Sequence, residues 1–222
     1  MREGKDNTLL LTVIGIATLL VAVAGATFAY FTAQTRYTDT NESTLTIYSS
    51  QGTVNKLEGG ATLKMDNIYP VDGRVWATKV ITYSQTTAGA TGEDHRYTVT
   101  LNYVNSFAGG SIAYNFAPVT STDAAVCKTG WKYDAPCDED VEKIASTALN
   151  GTESFVNSGT GTFEKSEGTT EKTITFTGGI IPVAKTAQHV YKLEISYPNG
   201  EGNQNADQGK SLSVRVTVAE AR

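Results

Sequence analysis

The sequence predicts an all-β chain: a two-sheet β-sandwich of the jelly-roll kind, preceded by an N-terminal apolar segment. Three observations lead there. Eight runs alternate apolar with polar residues, the period-two signature of a strand with one face buried and one wet. Clusters of Gly, Asn and Asp separate them, as in YPVDG, TTAGATGED and NGEGNQNADQG. No long stretch carries helical periodicity. The 21 Gly and 11 Tyr of the 222 residues agree with strands joined by turns.

The runs follow in chain order. Ser43 to Tyr48 (STLTIY) alternates, and Ala61 to Asn67 does so more weakly. Arg74 to Ser84 is a long β-rich run. His95 to Val104 places Tyr97, Val99, Leu101 and Tyr103 on one face. Ser111 to Phe116 follows a Gly109-Gly110 turn. Lys172 to Gly178 sets Ile174 beside Phe176, and Val190 to Tyr197 aligns Tyr191, Leu193, Ile195 and Tyr197. Ser211 to Ala219 aligns Leu212, Val214, Val216 and Val218. Eight such strands suit a sandwich. The best helix candidate is Asp138 to Gly151, with acidic residues near its start and Asn-Gly at its end.

The chain opens MREGKDNTLLLTVIGIATLLVAVAGATFAYFTAQ, and nothing from Leu9 to Phe31 is charged. A polar start with Arg2 and Lys5, an apolar run and then small residues are the parts of an export signal. The run is also long enough to span a bilayer. Residues 1–30 are therefore read as a signal peptide or a membrane segment. Small-x-small cleavage points occur at Ala22-Val23-Ala24 and Ala24-Gly25-Ala26, and a cut after Ala29 or Tyr30 would start the mature chain near Phe31. Either way the bulk of the chain is expected to be secreted or at the cell surface. Residues 31–39 then form an extended arm and 40–222 one sandwich domain. Roughly 190 residues are ample for one core.

Charge and motifs narrow the function. A formal charge of -5 argues against nucleic acid as a partner. No cofactor motif is present. The zinc-peptidase HExxH helix, the G-x-S-x-G elbow and any Cys-His signature are absent, so no catalytic residues are assigned and no enzyme is expected. Of the two histidines, His95 begins a strand run and His189 precedes one, and both read as strand-end caps or solvent-facing groups. Asp134 to Asp140 holds four carboxylates in seven residues without the spacing of a helix-loop-helix calcium site, and reads as a solvated loop or a weak calcium site. Asn41 and Asn150 begin N-glycosylation patterns. Cys127 and Cys137 are the only cysteines. In an oxidising compartment they read as a local disulfide, with free thiols the other reading and a metal site short of ligands. Trp131, between them, reads as packing or a surface contact.

The segment GIATLLVAVAGATFAYFTAQ resembles the N-terminus of the TasA and camelysin family of exported bacterial surface proteins. The Thr-aromatic-Ala-x-Phe pattern falls on Thr27, Phe28, Ala29, Tyr30 and Phe31. The resemblance implies cleavage by a dedicated signal peptidase near the final Phe, a jelly-roll-like fold, and a subunit of extracellular matrix fibres. It implies self-association, in which the freed arm adds a strand to a neighbouring subunit. Tyr30, Phe31 and Ala33 are the proposed donor residues, with Phe31 and Ala33 on one face. Other matrix or surface proteins are further candidate partners. A monomeric surface adhesin or sugar-binding sandwich, and an accessory protein that caps or anchors fibres, stay open as alternatives.

Overall fold

The structure is a computed structural model, described here for residues 13–23, 36–39, 45–48, 53–66, 68–73, 75–87, 92–108, 111–120, 126–127, 143–183, 185–200 and 205–221. The chain divides into two units, Met1–Arg36 and Tyr37–Arg222. In the first, residues 13–23 form a helix with Val13, Ile14, Leu19, Leu20 and Val21 exposed. No helix among the described residues is long and apolar enough to cross a membrane.

Among the described residues the second unit is built mainly from strands, with one 3-10 turn at Asn205–Asp207. In chain order the strands are β1 (Arg36–Asp39), β2 (Leu45–Tyr48), β3 (Thr53–Glu58), β4 (Leu63–Asp66), β5 (Val75–Thr87), β6 (His95–Asn105) and β7 (Ala113–Pro118). They continue with β8 (Val126–Cys127), β9 (Lys143–Ile144), β10 (Gly159–Thr162), β11 (Lys172–Ile181), β12 (Ala187–Ser196) and β13 (Ser211–Glu220). Among the described residues one sheet has the order β1-β4-β13-β6-β11, the other β10-β7-β12-β5-β3-β2, and β8 pairs with β9.

The strand order decides the architecture. From β4 onward the chain crosses between sheets at each step to β5, β6 and β7. It stays in one sheet for β10, then crosses again to β11, β12 and β13. Two four-stranded sheets, β4-β13-β6-β11 and β10-β7-β12-β5, woven this way make a jelly roll. The two predicted sheets and the jelly-roll topology are therefore both present. The faces read from alternation are also the buried ones. Tyr97, Val99, Leu101 and Tyr103 of β6 point inward against Tyr191, Leu193 and Ile195 of β12 and Leu212, Val214 and Val216 of β13. Phe116 lies stacked between Phe176 and Tyr191, with ring centroids 4.3 and 5.2 Å away.

Two glycines make the weave sterically feasible. The crossing from β3 to β4 runs through Gly59, whose φ of 77° is left-handed and whose added Cβ would lie 2.1 Å from the Val80 carbonyl oxygen. In β11 the register with β6 shifts between Phe176 and Gly179, a bulge. An added Cβ at Gly179 would stand 2.5 Å from the Tyr97 ring. The bulge thus lets a tyrosine lie flat on backbone.

The helix expected over Asp138 to Gly151 is not present where the structure describes it. Lys143–Ile144 is strand β9 and residues 145–150 are irregular. The reason is pairing: Ser146 N–H donates to Val119 O at 2.9 Å, Ser146 Oγ to Val190 O at 3.2 Å, and Thr147 N–H to Gln188 O at 2.9 Å. These bonds draw the backbone along β12 and leave none for a helical ladder. Residues 138–142 lie outside the described residues.

Candidate functional site

Both histidines belong to one cluster, at the end of the sandwich where β6 begins. His95 and Tyr97 of β6 face inward, as do Tyr83 of β5 and His189 and Tyr191 of β12. The segment between β9 and β10 adds Glu153, and the β11–β12 connection adds Lys185. His189 is fully buried, which corrects its reading as a strand-end cap or solvent-facing group. His95 is half-buried, with Nε2 2.5 Å from the Tyr83 hydroxyl.

Hydrogen-bond chemistry fixes the direction of the central chain. Glu153 Oε1 lies 3.0 Å from His189 Nε2, and a carboxylate can only accept, so Nε2 carries the proton. Neutral His189 then accepts at Nδ1, where the Tyr97 hydroxyl donates at 2.5 Å. The Tyr97 oxygen accepts from the Tyr191 hydroxyl at 2.6 Å, and the Tyr191 oxygen accepts from Val156 N–H at 3.1 Å. At the far end Glu153 Oε2 takes Lys185 Nζ and, at 2.9 Å, Asn150 N–H. Every member has a partner in one orientation of the relay.

Burial sets the proton affinities. It lowers the pKa of His189, an effect the Glu153 carboxylate partly opposes. His95 is lowered for the same reason, with Glu220 opposing. Burial raises the phenols of Tyr83 and Tyr97 and pushes Tyr191 up to about 12. Burial alone would raise Glu153, but the bonds from Lys185, His189 and Asn150 outweigh it and hold the carboxyl below its ordinary range. The carboxylate–imidazole–hydroxyl order has the connectivity of a nucleophilic triad. However, the hydroxyl is a fully buried phenol, held by Tyr191 and His189. What the relay does in this structure is tie β6, β12 and the segment ahead of β10 together.

Two sheet edges and one aromatic complete the candidates. β1 is the edge strand beside β4. β11 is the opposite edge of that sheet. Among the described residues its Lys172–Phe176 half pairs only with β6, while residues 154–157 cover part of the other half. Unpaired edges invite strand addition. Among the described side chains Tyr69 is the one exposed aromatic, 43 % accessible, standing edge-on to buried Trp76 at 4.9 Å.

Tyr30, Phe31, Ala33, Trp131 and Cys137 lie outside the described residues, as does the side chain of Cys127. The backbone of Cys127 pairs with that of Lys143, joining β8 to β9. Among the described residues no group of three or more His, Cys, Asp or Glu could hold a metal ion.

No family model matches the chain, and no curated protein does. Among solved structures it is similar to TmCBM61 in complex with β-1,4-galactotriose, at 8 % identity over 82 % of this chain and 90 % of that one, with a TM-score of 0.28. It is also similar to the xyloglucanase domain of NopAA, a type three effector from Sinorhizobium fredii, in complex with cellobiose. There the identity is 10 % over 84 % of this chain and 99 % of that one, with a TM-score of 0.27. At such scores neither likeness bears on what this chain does.

Proposed function

We propose that the chain is a structural subunit of an extracellular or cell-surface filament, exported and then assembled by donation of its N-terminal strand to a neighbour. One observation carries this reading. The end of the expected arm, Arg36–Asp39, forms β1, an edge strand beside β4. A strand that pairs at an edge of its own sheet can pair at the same edge of another copy, with the ladder bonds kept. Passed head to tail, the exchange does not close, and a fibre results. Export, cleavage by a signal peptidase near Phe31, and contacts with other matrix proteins belong to the same reading. Phe31 would add burial of about 1.5–3 kcal/mol per contact.

Electron microscopy of the chain beginning at Phe31, beside the same chain lacking residues 31–39, tests it. Filaments from the first and folded monomers from the second are expected, with Phe31→Ala shortening the filaments. Identical filaments from the arm-deleted chain would contradict strand donation.

Exposed Tyr69, braced by Trp76, favours a second reading: a monomeric surface adhesin or sugar-binding sandwich. Titration calorimetry with β-1,4-galactotriose and cellobiose tests this one. Binding lost in Tyr69→Ala, from a protein that stays monomeric at high concentration, would put it first.

A further inference from the structure

Residues Glu153 to Asn157 run along the edge of β11 as a strap. On the outside Ser154 and Ile180 exchange backbone bonds, N–H to O, at 3.0 and 2.9 Å. Asn157 N–H donates to Thr177 O at 2.8 Å, and Ser154 Oγ to Gly178 O at 2.6 Å. On the inside the strap is fastened at three points, all around His189. Glu153 accepts from its Nε2, the Phe155 ring meets its face at 4.8 Å, and Val156 N–H donates to Tyr191, the far end of the relay that His189 orients.

We propose that this strap is an acid-released cover of the β11 edge, with the proton on His189 as its latch. The chemistry follows from the fixed direction of the relay. A second proton on His189 must go to Nδ1, where the Tyr97 hydroxyl now donates. Tyr97 must then turn its O–H toward Tyr191. The Tyr191 oxygen already takes Val156 N–H, and its own proton loses its acceptor. The proton enters at His189, and the group left without a partner is the buried Tyr191 O–H beneath Val156. Lifting Phe155 and Val156 lets water reach that O–H and the charged imidazole, and the backbone of Thr177 to Ile181 becomes an open edge.

The groups that face His189 are named from each element packed on it. They are Glu153 on the strap, Lys185 from the β11–β12 connection, Tyr97 of β6 and Tyr191 of β12. Beyond Tyr97 stand Tyr83 of β5 and His95 of β6, on which Glu220 of β13 acts. Asp94 bonds Thr152 Oγ1 at 2.8 Å and Val183 N–H at 3.3 Å, beside the strap. Of these, Glu153, despite burial, is held below its ordinary range by its bonds from Lys185, His189 and Asn150, so the histidines are the groups that change between pH 6.5 and 5.

Amide hydrogen exchange of the full chain at pH 7, 6 and 5, corrected for intrinsic rate, tests the latch. Residues 150–158 and 177–181 should open about tenfold more per pH unit below about 6.5, the slope for one proton taken up on opening. Residues 212–216 of β13 lie in the core and open only with the whole fold, so they should keep a larger opening free energy than the strap at every pH. His189→Gln should abolish that slope and His95→Gln should keep it. Equal opening free energies in strap and β13, or an unchanged strap slope in His189→Gln, overturns the proposal. Because His189→Gln can misfold, the imidazole nitrogen resonances of the wild-type chain give a second readout. At pH 7 the proton should sit on Nε2 of His189, and a proton on Nδ1 would overturn the relay's direction and the latch with it.

Discussion

Strand β6 anchors loops at both of its ends, with different chemistry at each. At the Asn105 end a side-chain amide does the work. Asn105 Nδ2 donates to Phe163 O at 3.0 Å, its Oδ1 accepts Phe107 N–H at 3.0 Å, and its backbone exchanges bonds with Ser166. Nearby, Asp207 takes Ala108 N–H and the Tyr197 hydroxyl, both at 2.8 Å. At the Tyr97 end the corresponding work falls to an imidazole, a carboxylate and two phenols. Both networks bury polar side chains and pair them with one another or with backbone. An amide offers the same donors and acceptor at any ordinary pH, whereas His189 offers one set when neutral and another when charged. Two ends of one strand can thus be equally well packed and yet answer acid differently.

Substitutions separate the two ends by size. Asn105→Ala should be the costliest, about 3–4 kcal/mol, because it takes the side-chain partner from two buried backbone groups, Phe163 O and Phe107 N–H; urea unfolding at pH 7 reads it, and the loss should be the same at pH 6. Gly179→Ala should cost about 2–3 kcal/mol at the opposite end, since its Cβ has only the buried Tyr97 ring to push against. Thermal unfolding checks this, and a neutral result would mean that the relay yields easily. Tyr97→Phe should cost about 1–2 kcal/mol, removing one hydroxyl and orphaning His189 Nδ1. Tyr197→Phe, the matching cut at the amide end, should cost about 1 kcal/mol, because Asp207 keeps its Ala108 partner.

The sandwich was legible in the alternation of β6, β12 and β13, where buried side chains on one face leave a pattern that no helix shares. β3 was not, since Asn55, Lys56 and Glu58 break its apolar rhythm although Asn55 is buried. Nor was β10, whose sequence Gly-Thr-Gly-Thr has little strand propensity of its own. Its glycines are there because Phe176 and Tyr114 occupy the space of their side chains, at 2.8 Å in each case. The meeting of His95 with His189 depends on sheet order, which the local pattern does not carry. One signal was present. His95 stands two residues before Tyr97 and His189 two before Tyr191, so period two alone puts both histidines on the faces already read as buried.

The most direct test of the difference between the ends is stability against pH. Burial keeps His189 below its ordinary pKa of 6.5, so the unfolded chain takes up the proton first as pH falls. Its contribution is therefore whole above about pH 6.5 and is lost beneath it, by about 1.4 kcal/mol per pH unit until the folded group also protonates. His95 adds a loss of the same sign. Urea unfolding from pH 8 to pH 5 should show the wild type flat above 6.5 and falling below. His189→Gln should fall less steeply by one proton's slope, while Asn105→Ala should run parallel to the wild type at lower stability. If instead His189→Gln ran parallel to the wild type across that range, the imidazole end would be no more acid-sensitive than the amide end.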